Sequence, residues 1–395
     1  AARHAQAGHW RPQPQPMFTS GMIHNEVGAN TDAMSFGGMA AVHRLVTKLG
    51  LVNAIDEGLE LLKVHLPYHE SDHVLNLAYN VMCGGTRLED IERLRHNTAY
   101  MNALGADLIP DPTTAGDFCR RFKEEDVIEL MECINSVRAS LWQGRGRDLL
   151  GPITYIDVDG TDAPTNGEQK QDMDISYKGI WGYAPLVVSL ANTSEVLYMV
   201  NRPGNKPSHT GAAPYIDKAL NLVEPYAERI CVRGDTDFSL TANFDRWAER
   251  ADFVFGMDCS EPLRSLAEEL PEGCWQRLER GPKYSTLTDQ TRHRNQTNEK
   301  KRIVRERGYV NLELNHEDVA EFSYQPGKCE RPYRVVALRK NISKMKGELV
   351  LLDEVRYFFY ITTRMDLSLA EVVRCANQRC DQENVIEQLK NGVNA

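Results

Sequence analysis

The order of the predicted strands and helices after residue 151 leaves few folds open to this chain. Short runs rich in β-branched residues predict strands, and apolar residues spaced by three and four predict helices. The resulting order is three strands, a helix, a strand, a helix and a strand, which favours a mixed sheet with helices on its faces. The strands are predicted at 153–159, 186–191, 195–201, 229–233 and 253–257, and the helices at 215–226 and 240–250.

This is the element order of a ribonuclease H-like α/β fold, and the sequence before it has a different character. Residues 39–150 carry apolar residues at helical spacing, which predicts a helical domain. Ser71 is predicted as the N-cap of a helix that ends at Met82, and a threonine of the segment 111–114 as the cap of another. Residues 1–38 lack such periodicity and predict a flexible leader.

The predicted helical domain carries cations along one of its helices, namely Arg120, Arg121 and Lys123. A compact helical module with such cations suits sequence-specific DNA binding of the helix-turn-helix kind. Helical modules are common, however, and most of them bind no DNA. Both interpretations of this domain stay open from the residues alone.

Two pairs of aspartates stand at the ends of predicted strands. Asp157 and Asp159 alternate along the first strand and therefore point to the same side of the sheet. Asp235 follows directly on the strand 229–233, and Asp237 comes shortly after it. If the two strands are neighbours, carboxylates from both meet at one edge of the sheet. Each pair alone is equally well explained by the capping of a strand or turn, so the prediction of a site depends on a third element.

That third element is a predicted helix at the C-terminal end of the chain. At about 100° per residue, Arg379, Glu383 and Lys390 lie within roughly 40° of one another on one helical face. Phosphoryl transfer with two metal ions needs oxygen ligands around ions roughly 3.5 to 4 Å apart. Mg²⁺ takes a few carboxylates and keeps several waters, and Mn²⁺ can substitute for it. Two aspartates and a glutamate from a helix would meet that need.

Five motifs along the chain make it recognisable. They read IDVDGT at 156–161, DISYKG at 174–179, NRPGN at 201–205, RGDTDFS at 233–239 and NQRCDQENVIEQLK at 377–390. Together they resemble the motifs of bacterial insertion-sequence transposases with a DDE triad, and the insertion-sequence thirteen-eighty family in particular. The resemblance extends over nearly all of the chain from Ala40 onward.

The resemblance implies an enzyme that cuts transposon ends and joins the 3′ hydroxyl to target DNA, in a ribonuclease H-like catalytic domain with two Mg²⁺ ions. It implies Asp159 as the first carboxylate in preference to Asp157, Asp235 as the second and Glu383 as the third. All four residues are therefore candidate metal ligands, with Asp159 preferred to Asp157 as the first catalytic carboxylate. The partners implied are transposon ends and target DNA, bound by a homodimer.

The last motif of such families reads Y-(2)-R-(3)-E-(6)-K, and the cations of this chain match it. Arg379 and Lys390 stand at the arginine and lysine positions, where they are expected to bind phosphates. Lys390 is also explained by the preference of cations for a helix end. Ala376 stands at the tyrosine position. This departure puts in doubt a phosphate or base contact near the transposon end, though not the metal site.

The resemblance also implies a β-rich insertion domain at 259–365, between catalytic core segments at 151–258 and 366–395. A basic run in this insertion, centred on Lys300, Lys301 and Arg302, predicts DNA binding, with an ordinary solvated charged face as the equal alternative. Trp275 and Tyr284 are candidates for stacking on a base, although core packing is the commoner role for such residues. A first residue other than Met and an end just after the predicted catalytic helix predict truncation at both ends.

Composition and charge exclude several other classes of protein. Hydrophobic residues at 42% and charged residues at 26% are ordinary for a folded globular protein. A net charge of −10 argues against nonspecific coating of nucleic acid. Nine cysteines without a C-x-x-C pair, no secretory leader and no apolar run long enough for a bilayer predict a cytoplasmic, nucleoid-associated protein.

Three further functions compete with transposition. His69 and His73 satisfy the H-E-x-x-H pattern of zinc proteases, but Pro67 and the predicted cap place a helix start inside the pattern. A catalytically inactive or co-opted transposase-derived DNA-binding protein would keep the fold and lose the chemistry, as Ala376 and the missing C-terminus suggest. A nuclease with two metals would hydrolyse DNA without joining strands.

Overall fold

The computed structural model describes residues 34–167, 170–280 and 299–392, without the side chains of 146–147, 300–301 and 392. Most of the predicted leader and Tyr284 lie outside these residues. The chain forms two compact units. The described part of unit 1 comprises residues 276–280, 299–318 and 339–356, and that of unit 2 comprises residues 34–275, 319–338 and 357–392 with the gap given above.

The first part of unit 2 is helical, as its apolar spacing predicts. Helices there pack around two apolar clusters, one of which contains Leu75, Tyr79, Ile91 and Tyr100. No described helix is both long and apolar enough to cross a membrane. The helices are α1 (Met39–Lys48), α2 (Leu51–Gly58), α3 (Glu70–Met82), α4 (Ile91–Arg95), α5 (Thr98–Leu104), α6 (Pro112–Cys119) and α7 (Glu124–Leu150).

Both predicted N-caps of this region are displaced towards the N-terminus. The cap of α6 is Asp111, whose Oδ1 accepts hydrogen bonds from the backbone N–H groups of Thr113 and Thr114 at 2.9 and 3.0 Å. Proline has no N–H to satisfy and a suitable φ, so Pro112 occupies the first helical position and moves the cap to Asp111. The cap of α3 is His69, because the Ser71 hydroxyl instead donates to Asp56 at 2.9 Å.

The remaining part of the chain alternates strands with short helices. Every strand predicted between residues 153 and 257 is confirmed to within two residues. The helix predicted at 240–250 is shorter in the structure, where a 3₁₀ turn at Thr241–Asn243 leads into a short α-helix that ends at Trp247. The strands are β1 (Thr154–Gly160), β2 (Ala163–Pro164), β3 (Asp174–Ile175), β4 (Trp181–Tyr183), β5 (Leu186–Leu190), β6 (Glu195–Val200), β7 (Ile230–Gly234), β8 (Asp252–Met257), β9 (Gln276–Arg277), β10 (Val310–Tyr324), β11 (Tyr333–Lys346) and β12 (Leu349–Thr362); the helices are α8 (Ala212–Val223), α9 (Phe244–Trp247), α10 (Glu261–Glu268), α11 (Glu299–Glu306), α12 (Leu369–Gln378) and α13 (Asp381–Glu387).

In unit 2 the strands form a mixed sheet in the order β6-β5-β1-β7-β8-β12-β11-β10. Strand β1 is antiparallel to β5 and parallel to β7, which in turn is parallel to β8. The mixed α/β class is therefore confirmed. Strands β10 to β12 are the longest of the sheet, and unit 1 contains the parts of them that unit 2 does not. Unit 1 also contains α11, and β9 beside β10.

The two faces of β1 have different surroundings. Ile156 and Val158 are fully buried in the core cluster that also contains Ile216 and Leu220 of α8. Burying one such aliphatic side chain contributes about 1.5 to 3 kcal/mol. The opposite face carries the aspartates, and contacts from α12 and α13 cover it. Because side chains alternate between the two faces along β1, its carboxylates lie on the face that the C-terminal helices cover.

Candidate active site

Asp157 forms a buried ion pair with a neighbour on the adjacent strand. The register of β1 and β7 sets it opposite Arg233, whose Nε and Nη2 donate to the two carboxylate oxygens at 2.7 and 2.8 Å. Burial raises the pKa of Asp157, and the charge of Arg233 partly offsets this. Arg233 Nη1 also donates to the backbone carbonyl of Cys375 at 3.2 Å, so the pair links the sheet to α12.

Asp159 lies at the end of β1, where a cation from the C-terminal segment reaches it. Arg379 Nη1 is 2.7 Å from Asp159 Oδ2, and the other carboxylate oxygen accepts from the Gly160 N–H at 2.8 Å. Burial raises the pKa of Asp159, Arg379 opposes the rise, and the negative charge of Glu383 adds to it. The Glu383 carboxylate is therefore within electrostatic reach of Asp159.

Asp235 follows directly on β7 and begins a short 3₁₀ turn, Thr236–Phe238. Its Oδ1 accepts from the Asp237 N–H at 3.0 Å. A Cβ at Gly256 of β8 would lie 2.9 Å from the backbone nitrogen of Thr236, so glycine permits this turn to approach β8. Burial and then the charge of Asp159 raise the pKa of Asp235. The structure thus brings Asp159, Asp235 and Arg379 together, and Glu383 lies on α13, four positions after Arg379.

The C-terminal segment is not the single helix that the sequence predicts. Helix α12 ends at Gln378, and α13 begins at Asp381. Bonds between residues three apart tighten the junction, with the Gln382 N–H donating to Arg379 O at 2.9 Å and the Glu383 N–H to Cys380 O at 3.2 Å. A uniform rotation of about 100° per residue therefore does not apply across it.

Lys390 lies further along the same segment, in a π-helical turn at Gln388–Gly392. The wider turn changes the direction of its side chain, so the prediction that it shares a face with Arg379 loses its geometric basis. Lys390 is half-buried, and within residues 34–167, 170–280 and 299–392 no described bond joins it to the three carboxylates. Ala376 is half-buried on α12.

Two buried residues that the sequence analysis missed support the site. One is Arg233, described above. The other is Gln382, which is 2% exposed and whose Nε2 donates to the carbonyl oxygens of Asp157 and Val187, both at 3.1 Å. It ties α13 to two strands, β1 and β5. Of the two, only Arg233 could have been found from the sequence, because it is a charged residue in an otherwise apolar strand and a nearby predicted strand carries an Asp.

The residues predicted to bind DNA in unit 1 have local partners where they are described. Arg302 on α11 pairs with Glu299 and Glu306 of the same helix, each at 2.7 Å, as a solvated charged helix would. The side chains of Lys300 and Lys301 lie outside the described part of the chain. Trp275, in unit 2, packs against the core and contacts Tyr357, with the ring centroids 6.1 Å apart, as expected for core packing.

The H-E-x-x-H segment has a structural role. Glu70 is 1% exposed and accepts from the Leu61 and Leu62 N–H groups at 3.0 and 2.8 Å. His73 is stacked on Phe118, with ring centroids 4.3 Å apart. Among the residues that the structure describes, no group of three or more His, Cys, Asp or Glu side chains is arranged to hold a metal ion.

The carboxylates beside β1 nevertheless have the chemistry that a hard cation requires. The charge of Asp159 raises the pKa of Asp235, and the charge of Glu383 raises the pKa of Asp159. A divalent cation would relieve this repulsion, and oxygen donors are the ligands that Mg²⁺ prefers. The residues therefore fit such an ion, provided that Arg379 shares or releases Asp159.

Comparison with known proteins identifies one family. A family model described as "Transposase DDE domain group 1" matches residues 24–395. No curated protein matches the chain. Among solved structures, a cryo-EM structure of a piggyBac transposase synaptic complex with hairpin DNA aligns with a TM-score of 0.42 at 10% sequence identity, covering 89% of this chain and 68% of that one.

Proposed function

Since this chain belongs to the transposase family described as Transposase DDE domain group 1, we propose that it binds transposon ends, cleaves DNA strands there and joins the 3′ hydroxyl to target DNA. The observation that supports this proposal is the ion pair between Asp159, at the end of β1, and Arg379, which lies four residues before Glu383 in the C-terminal segment. Asp235 follows the neighbouring parallel strand and is close enough for the charge of Asp159 to raise its pKa. Membership of the insertion-sequence thirteen-eighty family is part of the proposal.

The catalytic core is proposed to be ribonuclease H-like. The first five strands of its large sheet support this, because β1 lies at their centre. On one side β5 is antiparallel to β1 and β6 is antiparallel to β5, and on the other side β7 and β8 are parallel to β1. Parallel neighbours expose their carboxyl ends at the same edge, where ligands of α/β sheets bind. Asp159 and Asp235 stand at that edge.

Asp159 rather than Asp157 is proposed as the first catalytic carboxylate. Both oxygens of Asp157 accept from Arg233, and its side chain is 1% exposed. Asp159 is 15% exposed, and a single guanidinium nitrogen contacts it. A carboxylate that ions and substrate must reach needs this accessibility, so Asp157 is assigned a supporting role.

Asp159, Asp235 and Glu383 would hold two Mg²⁺ ions, which would activate the attacking oxygen and stabilise the leaving oxygen during in-line displacement. Arg379 balances the charge of Asp159 before the substrate binds. Its remaining guanidinium N–H groups can donate to the non-bridging oxygens of a phosphodiester, since a planar guanidinium matches two oxygens at once. Arg379 would therefore orient the scissile phosphate towards the carboxylates. Lys390 is proposed as a second phosphate contact.

DNA recognition away from the carboxylates is proposed for two regions. The helical domain at 39–150 would contact the transposon end, through cations such as Arg120 and Arg121, which are exposed. Lys300, Lys301 and Arg302 of unit 1 would add phosphate contacts. Reactions at paired ends require two active sites, so a homodimer on DNA is part of the proposal.

A transposase-derived DNA-binding protein without catalytic activity is the second candidate. Two observations favour it, namely the alanine at position 376 and the ion pair between Arg379 and Asp159, which competes with metal binding. A nuclease that hydrolyses without joining strands would share the same site. Analysis of the DNA products separates these functions, because only strand transfer yields joined strands.

The decisive experiment incubates the purified chain with linear DNA that carries the ends of its own element, with Mn²⁺ or Mg²⁺. Asp235→Asn and Glu383→Gln should abolish cleavage, and Glu387→Gln, an exposed residue of the same helix, should leave it intact as the matched control. Joined products confirm transposition. End binding without cleavage would select the DNA-binding protein, and cleavage that persists in both variants would refute the proposed site.

A further inference from the structure

A small antiparallel sheet follows β1 directly, and the proposed mechanism does not use its exposed side chains. It consists of β2, β4 and β3 in that spatial order. The chain passes from Asp159 into β2 through Gly160, Thr161 and Asp162 alone. We call residues 161–167 and 170–183 the arm. Because of this short connection, the position of the arm is coupled to that of a proposed metal ligand.

Close backbone packing fixes the arm against the loop at 203–208. A Cβ at Gly182 would lie 2.2 Å from the carbonyl oxygen of Ala163, and a Cβ at Gly204 would lie 2.3 Å from that of Asp174. No side chain can occupy either position, so only glycine allows these segments to approach. The arm and the loop therefore form one ordered surface beside the carboxylates.

The tip of the arm presents an aromatic ring and a cation to solvent. The turn is closed by two backbone hydrogen bonds of 2.8 Å, from Gly179 N to Ser176 O and from Ser176 N to Ile180 O. Tyr177 at this tip is 91% exposed. Lys178 Nζ lies 5.2 Å from the centroid of its ring. Exposed rings beside cations are the elements with which proteins stack and hold single-stranded nucleic acid.

A cleft of about 350 Å³ is lined by residues of the arm and of the loop at 203–208. Hydroxyl groups and cations line it, including Thr161, Ser176, Ser208, Lys178 and Lys206, and so does Asp237, which lies two positions after Asp235.

Two of the cations that line this cleft, Lys178 and the exposed Lys206, are able to bind phosphate. Lys178 Nζ is 2.9 Å from the carboxylate of Asp162, but this pair is partly exposed, and such pairs contribute little, so a phosphate can compete for the lysine. Arg202 lines the same cleft, where its Nη1 donates to the carbonyl oxygens of Ser208 and Thr210 and so holds the loop at 203–208 in place.

We propose that this cleft and the tip of the arm bind the DNA strand next to the scissile phosphate, with Lys178 and Lys206 on phosphate oxygens and Tyr177 stacked on an unpaired base. The inference rests on the proposed function, because it assigns the path of the substrate past the same carboxylates. The occupant is a single strand. A protruding ring can stack only on a base that has left its pair, and a cleft of this volume admits nucleotides but not a double helix.

The first test measures binding of a short single-stranded oligonucleotide that contains 2-aminopurine, whose fluorescence falls when an aromatic ring stacks on it. Tyr177→Ala should weaken binding about tenfold and remove the quenching, while Tyr177→Phe should retain both. Tyr309→Ala removes a tyrosine of unit 1 that is 57% exposed and is the matched control. Equal quenching by the unchanged chain and by Tyr177→Ala would overturn the inference.

The lysines are tested by the salt dependence of the same binding. Lys178→Gln and Lys206→Gln should each make the slope of log K against log salt shallower by about 0.7, the value for one phosphate contact on a single strand. Lys328→Gln, an exposed lysine of the loop between β10 and β11, should leave the slope unchanged. Slopes that are the same in all variants would contradict the assignment of these two lysines.

Cleavage of transposon ends by the same variants distinguishes this inference from the proposed function. Normal cleavage by Tyr177→Ala and by the Lys178→Gln/Lys206→Gln double variant would overturn the inference and leave the transposase standing. A second outcome is possible, in which the unchanged chain binds the single strand without cleaving transposon ends and Tyr177→Ala no longer binds it. The proposed function then fails, and the strand site remains supported.

Discussion

Arg379 Nη1 lies 2.7 Å from the carboxylate of Asp159, although 220 positions of the chain separate the two residues. This contact joins the end of the central strand to the junction between the last two helices. It means that a cation of the protein itself balances the first proposed catalytic carboxylate. The ion pair and a bound divalent metal ion therefore compete for the same oxygens, and the proposed site can be tested through that competition.

Replacing Arg379 by alanine should separate catalysis from metal binding. We expect Arg379→Ala to lower the rate of end cleavage by at least about 100-fold, because one charged donor to the reacting phosphate is lost. The concentration of Mn²⁺ for half-saturation should fall, since the guanidinium no longer competes for Asp159. Calorimetric titration with Mn²⁺ and a cleavage assay measure the two effects. Arg374→Ala, whose side chain is 66% exposed on α12, is the control. Unaltered cleavage in Arg379→Ala would remove Arg379 from the mechanism.

Gln382 is predicted to position the helix that carries Glu383. Gln382→Leu removes two buried hydrogen bonds, to Asp157 O and Val187 O. We expect a loss of about 1 to 3 kcal/mol in the free energy of unfolding. Cleavage should fall by about tenfold or more through displacement of Glu383. Urea denaturation and the cleavage assay check these outcomes. Full activity together with reduced stability would show a purely structural residue.

The buried ion pair of Asp157 and Arg233 should be costly to break from one side. Arg233→Met leaves a carboxylate that is 1% exposed without its partner, and we expect a loss of about 3 to 5 kcal/mol. The double variant Asp157→Leu/Arg233→Met should recover much of that loss, because no uncompensated charge remains buried. Chemical denaturation of the three proteins provides the comparison. A double variant as unstable as Arg233→Met would contradict this explanation.

Stability in acid should depend on Asp366. Hydrogen bonds from Arg364 and then Arg229 lower the pKa of this carboxyl below its usual range. A carboxyl whose pKa is lowered on folding stabilises the folded chain at pH values above its unfolded pKa of about 3.9. This stabilisation is lost as the pH falls through the folded pKa.

Asp366→Asn should therefore destabilise the chain at neutral pH, by about 1 kcal/mol or less because the side chain is 45% exposed, and should weaken the dependence of stability on pH below about 4. Thermal unfolding across this pH range measures both effects. Asp258→Asn, at an exposed position, is the control. An identical pH dependence in Asp366→Asn and the unchanged chain would refute the role of Asp366.

The strands of the core and the placement of its aspartates could be predicted from the sequence because both depend on local patterns. Runs of β-branched residues and the alternation along β1 specify which residues form a strand and which side each faces. The parallel pairing of β1 with β7 is not contained in these local patterns. The sequence therefore predicts that Asp159 and Asp235 meet only if the two strands are neighbours, which the structure shows them to be.

The sequence alone determined the mixed α/β class, the strand positions and the carboxylates that could meet, because side-chain periodicity is a property of each segment by itself. Only the tertiary structure decided the rest. The break of the last helix at Arg379, the pairing of Asp157 with Arg233 and the burial of Gln382 depend on which segments pack together. Contacts between residues far apart in the chain override local helical preference, since burial requires each polar group to find a partner wherever the fold offers one.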